Sequence, residues 1–170
     1  MKIKVKLFNK KCKFEFIEKG EWIDLYAGED VTMESPYSLP LNKTTNRRHV
    51  VFSIYNIPLG IGMKLPKGVE AQILPRSSTF NSWPILMRNS KGIIDSSYSG
   101  PNDQWKFAAI AMNTVEIKEG DKICQFRLVL SQKATVWQKI KWLFTNKIEF
   151  EFVDDYDGVD RGGFGSTGKN

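Results

Sequence analysis

The chain opens with KIKVKL at residues 2–7, where lysine alternates strictly with an aliphatic side chain. Successive side chains of a β-strand point to opposite faces, so this alternation predicts a strand with one buried and one solvated face. Phe14 and Phe16 continue the alternation further along the chain. Because lysines discourage an edge strand from pairing with another sheet, we expect this strand to lie at a sheet edge.

Further short apolar runs follow along the chain. They cover residues 50–54, 69–74, 107–112 and 123–130, and breaks rich in proline and glycine separate them. Several short strands with turn signals between them, and almost no helical periodicity, are typical of a sandwich or a barrel. The pattern therefore predicts an all-β protein.

Size and composition narrow the class of protein. The chain has 170 residues, 41% of them hydrophobic, which suits one domain with a packed core. Its longest apolar run is six residues at 107–112, too short to span a membrane. Two cysteines and one histidine provide neither a disulfide framework nor a zinc site. We expect a cytosolic protein without a signal peptide or a membrane partner.

Charge is unevenly distributed along the chain. The net charge is +6; residues 1–19 hold seven lysines and two glutamates, whereas residues 149–161 hold six acidic residues and Arg161. An acidic stretch near the C-terminus argues against a uniform polyanion binder. We therefore expect no stable nucleic-acid binding.

Residues 134–144 depart from the strand pattern. Their spacing of tryptophan, isoleucine and leucine permits a short amphipathic helix, while a strand or irregular packing is nearly as compatible. Two interpretations follow. The segment is either a solvated insertion with one packed face, or an element that contacts a partner or another subunit.

Residues 158–170 contain five glycines in thirteen positions, which predicts a flexible tail. Phe164 lies among these glycines, and Ser166 and Thr167 follow it. Freed backbone N–H groups, two hydroxyls and an aromatic face could close over a phosphorylated nucleotide.

The stretch GIIDSSYSG at residues 92–100 is the most informative chemically. On a hairpin, Asp95 could act as a general base beside a sugar-sized pocket with Tyr98 as its floor. An aspartate in a β-turn and a core tyrosine would give the same local sequence. The arginine and hydroxyls of PRSST at 75–79 suit phosphate oxygens, although an ordinary turn also has this composition.

Two shorter stretches place polar residues in apolar strands. Asp24 lies in an apolar strand; buried, it would need a partner, and near a site it could hold a metal-bound water. In GDKICQ, residues 120–125, a turn enters a strand on which Gln125 could face a ligand.

These stretches, in order, resemble the five motifs of the trimeric dUTPase family. The matching segments are DLYA (24–27), PRSS (75–78), GIIDSSYSG (92–100), GDKICQ (120–125) and GGFGSTG (162–168). The resemblance implies a homotrimer of β-jelly-roll subunits with active sites at the subunit interfaces. It also implies hydrolysis of dUTP to dUMP and pyrophosphate with Mg²⁺, which supplies dUMP and keeps uracil out of DNA.

The resemblance assigns catalytic roles to three residues. Asp95 would be the base that activates water for attack on the α-phosphorus, Asp24 would hold Mg²⁺ through ordered water, and Gln125 would lie on the phosphates. Tyr98 would pack under the deoxyribose and leave no room for a ribose 2′-hydroxyl.

The resemblance also implies a set of substrate-binding residues. Asn89 and the hairpin backbone, including Gly92 and Ile94, would read the uracil edge. The residues expected around the phosphates or on the closing tail are Arg76, Ser77, Ser78, Arg161, Phe164, Gly165, Ser166, Thr167 and Gly168. Among these, Phe164 would stack on uracil and the last three would grip the outer phosphates.

Three features depart from the family pattern. Arg161 directly precedes Gly162, whereas the family usually has two residues between the arginine and the glycines, so its γ-phosphate role is in question. Residues 101–105 lengthen the uracil hairpin. Residues 131–153 lengthen the connection to the tail.

We expect a jelly-roll domain at 1–157, with 131–153 as an insertion that could bind a regulatory protein, and a lid at 158–170.

Two rival functions stay open at this point. A dCTP deaminase, or a bifunctional deaminase and dUTPase, shares the fold but needs a glutamate on the strand after the third motif, and residues 105–112 contain none. A non-catalytic oligonucleotide-binding barrel would suit the basic N-terminus and five tryptophans. It would not need the motif residues.

The expected location is the cytoplasm, which would be that of the host cell if a virus encodes the chain.

Overall fold

The computed structural model describes residues 1–15, 21–145 and 147–163. Within these ranges the chain forms fourteen strands and two short α-helices. The strands are β1 (Lys2–Leu7), β2 (Ile23–Tyr26), β3 (Val31–Met33), β4 (Tyr37–Ser38), β5 (Val50–Val51), β6 (Ile54–Pro58), β7 (Ile61–Lys64), β8 (Val69–Pro75), β9 (Ile85–Met87), β10 (Gly92–Asp95), β11 (Lys106–Ala111), β12 (Val115–Ile117), β13 (Lys122–Leu130) and β14 (Glu149–Val153).

The helices are few and short. They are α1 (Thr79–Ser82) and α2 (Val136–Leu143), and a single 3-10 turn covers Lys10–Cys12. No helix in the described ranges is long and apolar enough to cross a membrane. The prediction of an all-β protein is confirmed.

The strands form a layered set of small sheets. The largest has the order β10-β8-β13-β2, and two three-stranded sheets have the orders β14-β1-β7 and β6-β11-β9. The pairs β12-β3 and β4-β5 complete the described strands. The four-stranded sheet positions the candidate site, because four of the five motif segments border its strands.

The first strand is β1, and its position corrects the prediction of a sheet edge. It pairs in parallel with β14 on one side and antiparallel with β7 on the other, so it is the central strand of its sheet. Ile3 and Val5 are buried while Lys2 and Lys4 are exposed, so the predicted two faces are confirmed. The alternation fails after Leu7, since the 3-10 turn follows it. Phe16 lies outside the described residues.

Aromatic side chains fill the space between the sheets. Phe14 lies in the core, with its ring centroid 5.5 Å from Phe126 and 5.0 Å from Phe150. Trp105 is fully buried and packs edge-on against Phe126 at 5.4 Å. Burying an aromatic side chain stabilises a fold by about 1.5–3 kcal/mol. Residues from β13, β14 and the loop before β11 therefore share one core.

The strands predicted at 69–74, 107–112 and 123–130 are confirmed as β8, β11 and β13. The prediction of one continuous strand at 50–54 is wrong, because this stretch belongs to two strands. The chain leaves β5 at Val51 and enters β6 at Ile54, which pairs with Ile110 of β11. A continuous apolar run does not show where a chain changes its pairing partner.

Residues 131–153 contain one helix and one strand. The helix α2 begins at a capping box, in which the Thr135 hydroxyl accepts from the Gln138 N–H and the Gln138 side chain accepts from the Thr135 N–H. Gln138 also donates to the Lys67 carbonyl at 2.8 Å, which ties the helix to the β7–β8 turn. Of the three conformations considered for residues 134–144, a helix, a strand or irregular packing, the structure shows the helix.

Candidate active site

Strand β13 brings three motif segments together. Gln125 lies opposite Asp24 of β2 on one side and opposite Leu74 of β8 on the other. Its amide donates to the Pro75 carbonyl at 3.3 Å. The order of strands in the sheet thus joins the DLYA, PRSS and GDKICQ segments, which are far apart in sequence.

Asp24 is buried and lies between two cations. Its Oδ1 is 2.9 Å from Arg76 Nε, and its Oδ2 is 3.5 Å from Lys122 Nζ. The aspartate is 7% exposed, so these partners replace the water that its charge would otherwise require. The expectation that a buried Asp24 needs a partner is confirmed. We call Asp24, Arg76 and Lys122 the acid–cation cluster.

Lys122 is a member of this cluster that was not predicted from the sequence, although it lies inside the GDKICQ stretch. Strand alternation places residues 122 and 124 on one face, and Cys124 is fully buried on that strand. A bulge in the pairing with β2 shifts the register between Lys122 and Cys124, and the lysine thereby faces Asp24. Such a bulge leaves little signal in one sequence.

The turn after β8 is held from inside the protein. Thr79 is fully buried; its hydroxyl donates to the Ile123 carbonyl at 2.9 Å and accepts from the Arg76 N–H at 2.8 Å. The adjacent side chains of Ser77 and Ser78 are exposed to solvent. The turn can therefore present two hydroxyls next to the acid–cation cluster without buried backbone groups losing their partners.

Asp95 ends β10 and faces a turn. The Ser97 N–H donates to its Oδ1 at 2.8 Å, and the Ser97 hydroxyl donates to the same oxygen. These hydrogen bonds from Ser97, helped by the Arg161 guanidinium, hold the pKa of the Asp95 carboxyl below its ordinary value despite partial burial. A side chain exposed by half and ionised at neutral pH can accept a proton from water.

Tyr98 lies against the end of the same hairpin. Its backbone N–H donates to the Asp95 carbonyl at 3.1 Å, and its hydroxyl donates to the Gln104 carbonyl at 2.8 Å. Burial, with the Asp103 and Asp160 carboxylates nearby, raises the pKa of Tyr98, so the ring stays neutral at physiological pH. The observed turn and the partly buried tyrosine fit both interpretations of this stretch.

The remaining hairpin candidates differ in what they can present. Ile94 is buried and pairs with Ala71, so only its backbone can meet a ligand, while Gly92 pairs with Ile73. Asn89 is exposed in the turn between β9 and β10. The predicted recognition by backbone groups therefore remains compatible with this geometry.

The two halves of the candidate site lie apart within one chain. Asp95 is opposite Glu70 of β8, whereas the row containing Asp24 and Gln125 meets β8 at Leu74. With roughly 3.3 Å per residue and 4.8 Å per strand, the Cα atoms of the two aspartates are about 19 Å apart across this sheet. The structure does not bring Asp95 to the acid–cation cluster of its own chain.

Arg161 is the one tail candidate that the structure describes in contact with the site. Its Nη1 donates to Ser97 Oγ at 2.7 Å and to Asp95 Oδ1 at 3.4 Å. The other tail candidates, Phe164, Gly165, Ser166, Thr167 and Gly168, lie outside the described residues. The roles predicted for them are therefore untested.

The described residues offer few ligands for a divalent metal. Within the described ranges no group of three or more histidine, cysteine, aspartate or glutamate residues could hold a metal ion. Asp24 already faces Arg76 and Lys122 through both oxygens. A single carboxylate such as Asp24 fits Mg²⁺ only where substrate phosphates and water supply most of its ligands, since this ion usually keeps several waters and binds through one or two carboxylates and substrate phosphates.

The architecture matches solved dUTPase structures. The dUTPase of Streptococcus mutans has a TM-score of 0.62 and 17% identity, covering 77% of this chain and 98% of that one. A dUTPase from phage phi11 of Staphylococcus aureus, described with a structural Mg(II) ion, has a TM-score of 0.60 and 16% identity, covering 79% and 94%. The fold is the all-β, jelly-roll-like fold of nucleotide hydrolases of this type.

The sequence comparisons agree with the fold. The family model for dUTPase matches residues 24–168. The SPbeta prophage-derived deoxyuridine 5′-triphosphate nucleotidohydrolase of Bacillus subtilis (strain 168) is 37% identical over 169 residues, which is 99% of each protein. The chain belongs to the dUTPase family.

Proposed function

We infer that this protein hydrolyses dUTP to dUMP and pyrophosphate, with Asp95 as the general base. The observation that carries the mechanism is the Asp95 carboxylate itself, kept ionised by Ser97 at the exposed end of a hairpin. In the proposed reaction, Asp95 accepts a proton from a water molecule, and the oxygen of that water attacks the α-phosphorus. The bond from the α-phosphorus to the α,β-bridging oxygen breaks, and pyrophosphate leaves.

The acid–cation cluster and the turn beside it would bind the phosphates. Arg76 supplies a guanidinium, Ser77 and Ser78 supply exposed hydroxyls, and Gln125 supplies an amide on the adjacent strand. Preorganised donors of this kind stabilise charge that develops on the phosphates in the transition state. Arg161 would add a further guanidinium from the tail.

The hairpin would select the nucleoside. Tyr98 offers a partly buried ring for the deoxyribose, and its hydroxyl is already held by the Gln104 carbonyl. Asn89 and the backbone around Gly92 and Ile94 would read the uracil edge. Phe164 would stack on the base, while Gly165, Ser166, Thr167 and Gly168 would close over the phosphates.

Mg²⁺ would enter with the triphosphate. Asp24 would hold it through ordered water, and the ion would offset the negative charge of the phosphates and the leaving pyrophosphate. The structure of the phage phi11 relative includes a structural Mg(II) ion, so a protein of this fold can hold Mg²⁺. Asp24 itself would remain paired with Arg76 and Lys122, so its task is to orient water.

A homotrimer would complete the site. About 19 Å separates Asp95 from Asp24 within one chain, by roughly 3.3 Å per residue and 4.8 Å per strand, and a second copy is needed to bring such groups together. This separation supports active sites at subunit interfaces. The lid at 158–170 and the domain at 1–157 stay predictions, as does a cytoplasmic location.

The rival functions lack supporting features. The strand after the third motif is β11, Lys106–Ala111, and it carries no glutamate for attack on a cytosine ring. An oligonucleotide-binding barrel would have no use for an aspartate oriented by Ser97. Neither the deaminase nor the binding barrel is favoured.

A regulatory protein partner is a second proposal, supported by the surface of α2. Trp137, Leu143 and Phe144 are 79%, 80% and 79% exposed, so the helix presents apolar side chains to solvent in the single chain. Exposed apolar patches of this kind mark interaction sites in soluble proteins. The phosphate chemistry described above does not use this surface.

The activity is tested by pyrophosphate release from dUTP, dCTP, dTTP and UTP with Mg²⁺. We expect turnover of dUTP, and a loss of about 10²–10⁴-fold in Asp95→Asn because the general base is removed. Asp154→Asn, which removes an exposed carboxylate further along the chain, is the matched control. Ammonia release from dCTP would instead indicate the deaminase, and no turnover of any nucleotide by folded protein would refute the assignment.

A further inference from the structure

Two departures from the family pattern meet in space. Residues 101–105, which lengthen the hairpin, lie against residues 158–163, where the arginine is displaced towards the glycines. Asn102 donates to Asp160 through its backbone N–H at 2.8 Å and through its side-chain amide at 2.7 Å. The sequence alone gave no reason to connect these two segments.

Asp103 provides the second half of this contact. Its carboxylate is 2% exposed and accepts from the Gly100 N–H at 2.9 Å, which braces it within the hairpin. It also accepts from the backbone N–H groups of Arg161, at 3.1 Å, and Gly162, at 3.1 Å. Hydrogen bonds to a charged acceptor are among the strongest in proteins, and here two of them hold tail backbone.

The packing around this contact is close. A Cβ atom at Gly100 would lie within 2.7 Å of three Asp160 atoms, and one at Gly163 would lie 3.2 Å from the Tyr98 ring. The close approach of Asp160 therefore requires glycine at position 100, and a side chain at position 163 would crowd the Tyr98 ring. This tight packing and the paired hydrogen bonds together indicate a specific contact between the two segments.

We propose that residues 101–105 are a receptor for residues 160–162 of the same chain, which we call the tail root. Asn102 and Asp103 bind the tail root and thereby place the Arg161 guanidinium on Asp95 and Ser97. Asn102, Asp103 and Asp160 are positioning residues that act through Arg161. Because the arginine is ordered before substrate arrives, binding does not have to supply that ordering.

This placement accounts for the position of Arg161 in the sequence. Arg161 directly precedes the glycines, two residues nearer to them than the family pattern described above. The receptor in the lengthened hairpin holds it beside the proposed base instead, with contacts of 2.7 Å to Ser97 and 3.4 Å to Asp95. The consequence for catalysis rests on the proposed function, whereas the docking of the tail root does not.

The docking is tested by trypsin cleavage after Arg161, followed by mass spectrometry of the fragment that lacks residues 162–170. Asn102→Asp places one carboxylate against that of Asp160, and we expect cleavage about tenfold faster than in the wild type. Adding Asp160→Asn restores a donor and an acceptor in reversed positions, and we expect it to return the cleavage rate towards that of the wild type. Asp154→Asn is the control for loss of an exposed carboxylate.

The positioning role is tested with the same variants by steady-state hydrolysis of dUTP. We expect KM to rise several-fold in Asn102→Asp, because Arg161 is no longer ordered, and to recover in the double variant. Equal cleavage rates in all variants would overturn the receptor, and a lower KM in Asn102→Asp would overturn the positioning role by showing that the contact blocks the site. If the wild type does not hydrolyse dUTP, the proposed function fails while cleavage still decides the docking.

Discussion

The Arg76 guanidinium and the Asp24 carboxylate form an ion pair of 2.9 Å beneath the surface of the four-stranded sheet. The Arg76 side chain is 31% exposed and the Asp24 side chain only 10%, so the pair joins a buried acid to a cation that still reaches solvent. Its geometry suits the proposed phosphate-binding role of Arg76, because the guanidinium neutralises the acid and still reaches solvent.

Removing Arg76 should therefore destabilise the protein. In Arg76→Met, Asp24 keeps only Lys122 at 3.5 Å. We expect the free energy of unfolding to fall by about 2 kcal/mol, below the roughly 3–5 kcal/mol for a fully buried pair because Arg76 is partly exposed. Urea denaturation measures this change. Arg48→Met, at an exposed loop position, is the control, and an equal loss in both variants would contradict the structural role of the pair.

The distance between the two halves of the site predicts complementation between copies. Trimers of Asp95→Asn and trimers of Arg76→Ala should each be inactive, since each lacks one half. After equal amounts are denatured together and refolded, sites that combine an intact Asp95 from one copy with an intact Arg76 from another should recover about a quarter of the wild-type activity. Refolding each variant alone is the control. No recovery in the mixture would mean that both halves come from a single chain.

The environment of Asp95 predicts the acid side of the pH profile. Its pKa is lowered chiefly by the Ser97 side chain, so the base stays ionised until the pH falls through that lowered pKa. The hydrogen bonds to the ionised carboxyl stabilise the fold above the unfolded pKa and are lost as the pH falls through the folded one. The acid limb of kcat/KM should therefore lie below the ordinary pKa of an aspartate.

Ser97→Ala should move that limb towards higher pH, because it removes the largest cause of the shift. Ser96→Ala, at the neighbouring and less exposed position, is the matched control. Rate measurements across the acid range decide the question. Identical acid limbs in the wild type and in Ser97→Ala would show that another group controls ionisation of the active enzyme.

The exposed surface of α2 predicts a division between partner binding and catalysis. Replacing Trp137, Leu143 and Phe144 together by glutamine removes side chains that are almost fully solvated in the single chain. We expect dUTP turnover to be unchanged and the free energy of unfolding to change by no more than about 0.5 kcal/mol per site. Sedimentation analysis should still show a trimer. Dissociation of the trimer would assign this surface to a subunit contact instead.

Most of the architecture could be predicted from local pattern. The alternation at residues 2–7 and the apolar runs that became β8, β11 and β13 record which side chains face the core, and that information is carried by neighbouring residues. The edge position predicted for β1 was wrong, because the pairing of β1 with β14 involves residues that are almost the whole chain apart. The separation of β5 from β6 was missed because a continuous apolar run does not show that β5 pairs with β4 and β6 with β11.

For the candidate site too, some residues could be predicted from the sequence and others could not. The residue types of the five motifs and their order identify the family, and Asp95 and Asp24 could be singled out because a carboxylate among apolar residues needs an explanation. Ser97 and Lys122 were not singled out, and the prediction that groups the Thr79 hydroxyl with those suited to phosphate is wrong, because Thr79 is buried and bonds to backbone groups. An adjacent hydroxyl, a bulged lysine and a buried threonine acquire their roles only through contacts. The residues beyond 163 remain predictions.

The sequence by itself determined the chemistry that this protein has available: an all-β core, one carboxylate in a hairpin, a cation and hydroxyls after a strand, and a glycine-rich tail. Those properties follow from side-chain type and local spacing. Only the tertiary structure decided that Asp95 and Asp24 lie on distant parts of one sheet, and that the lengthened hairpin receives the tail root through Asn102 and Asp103. Strand order and loop docking depend on contacts between segments that are remote in sequence, and no local pattern records them.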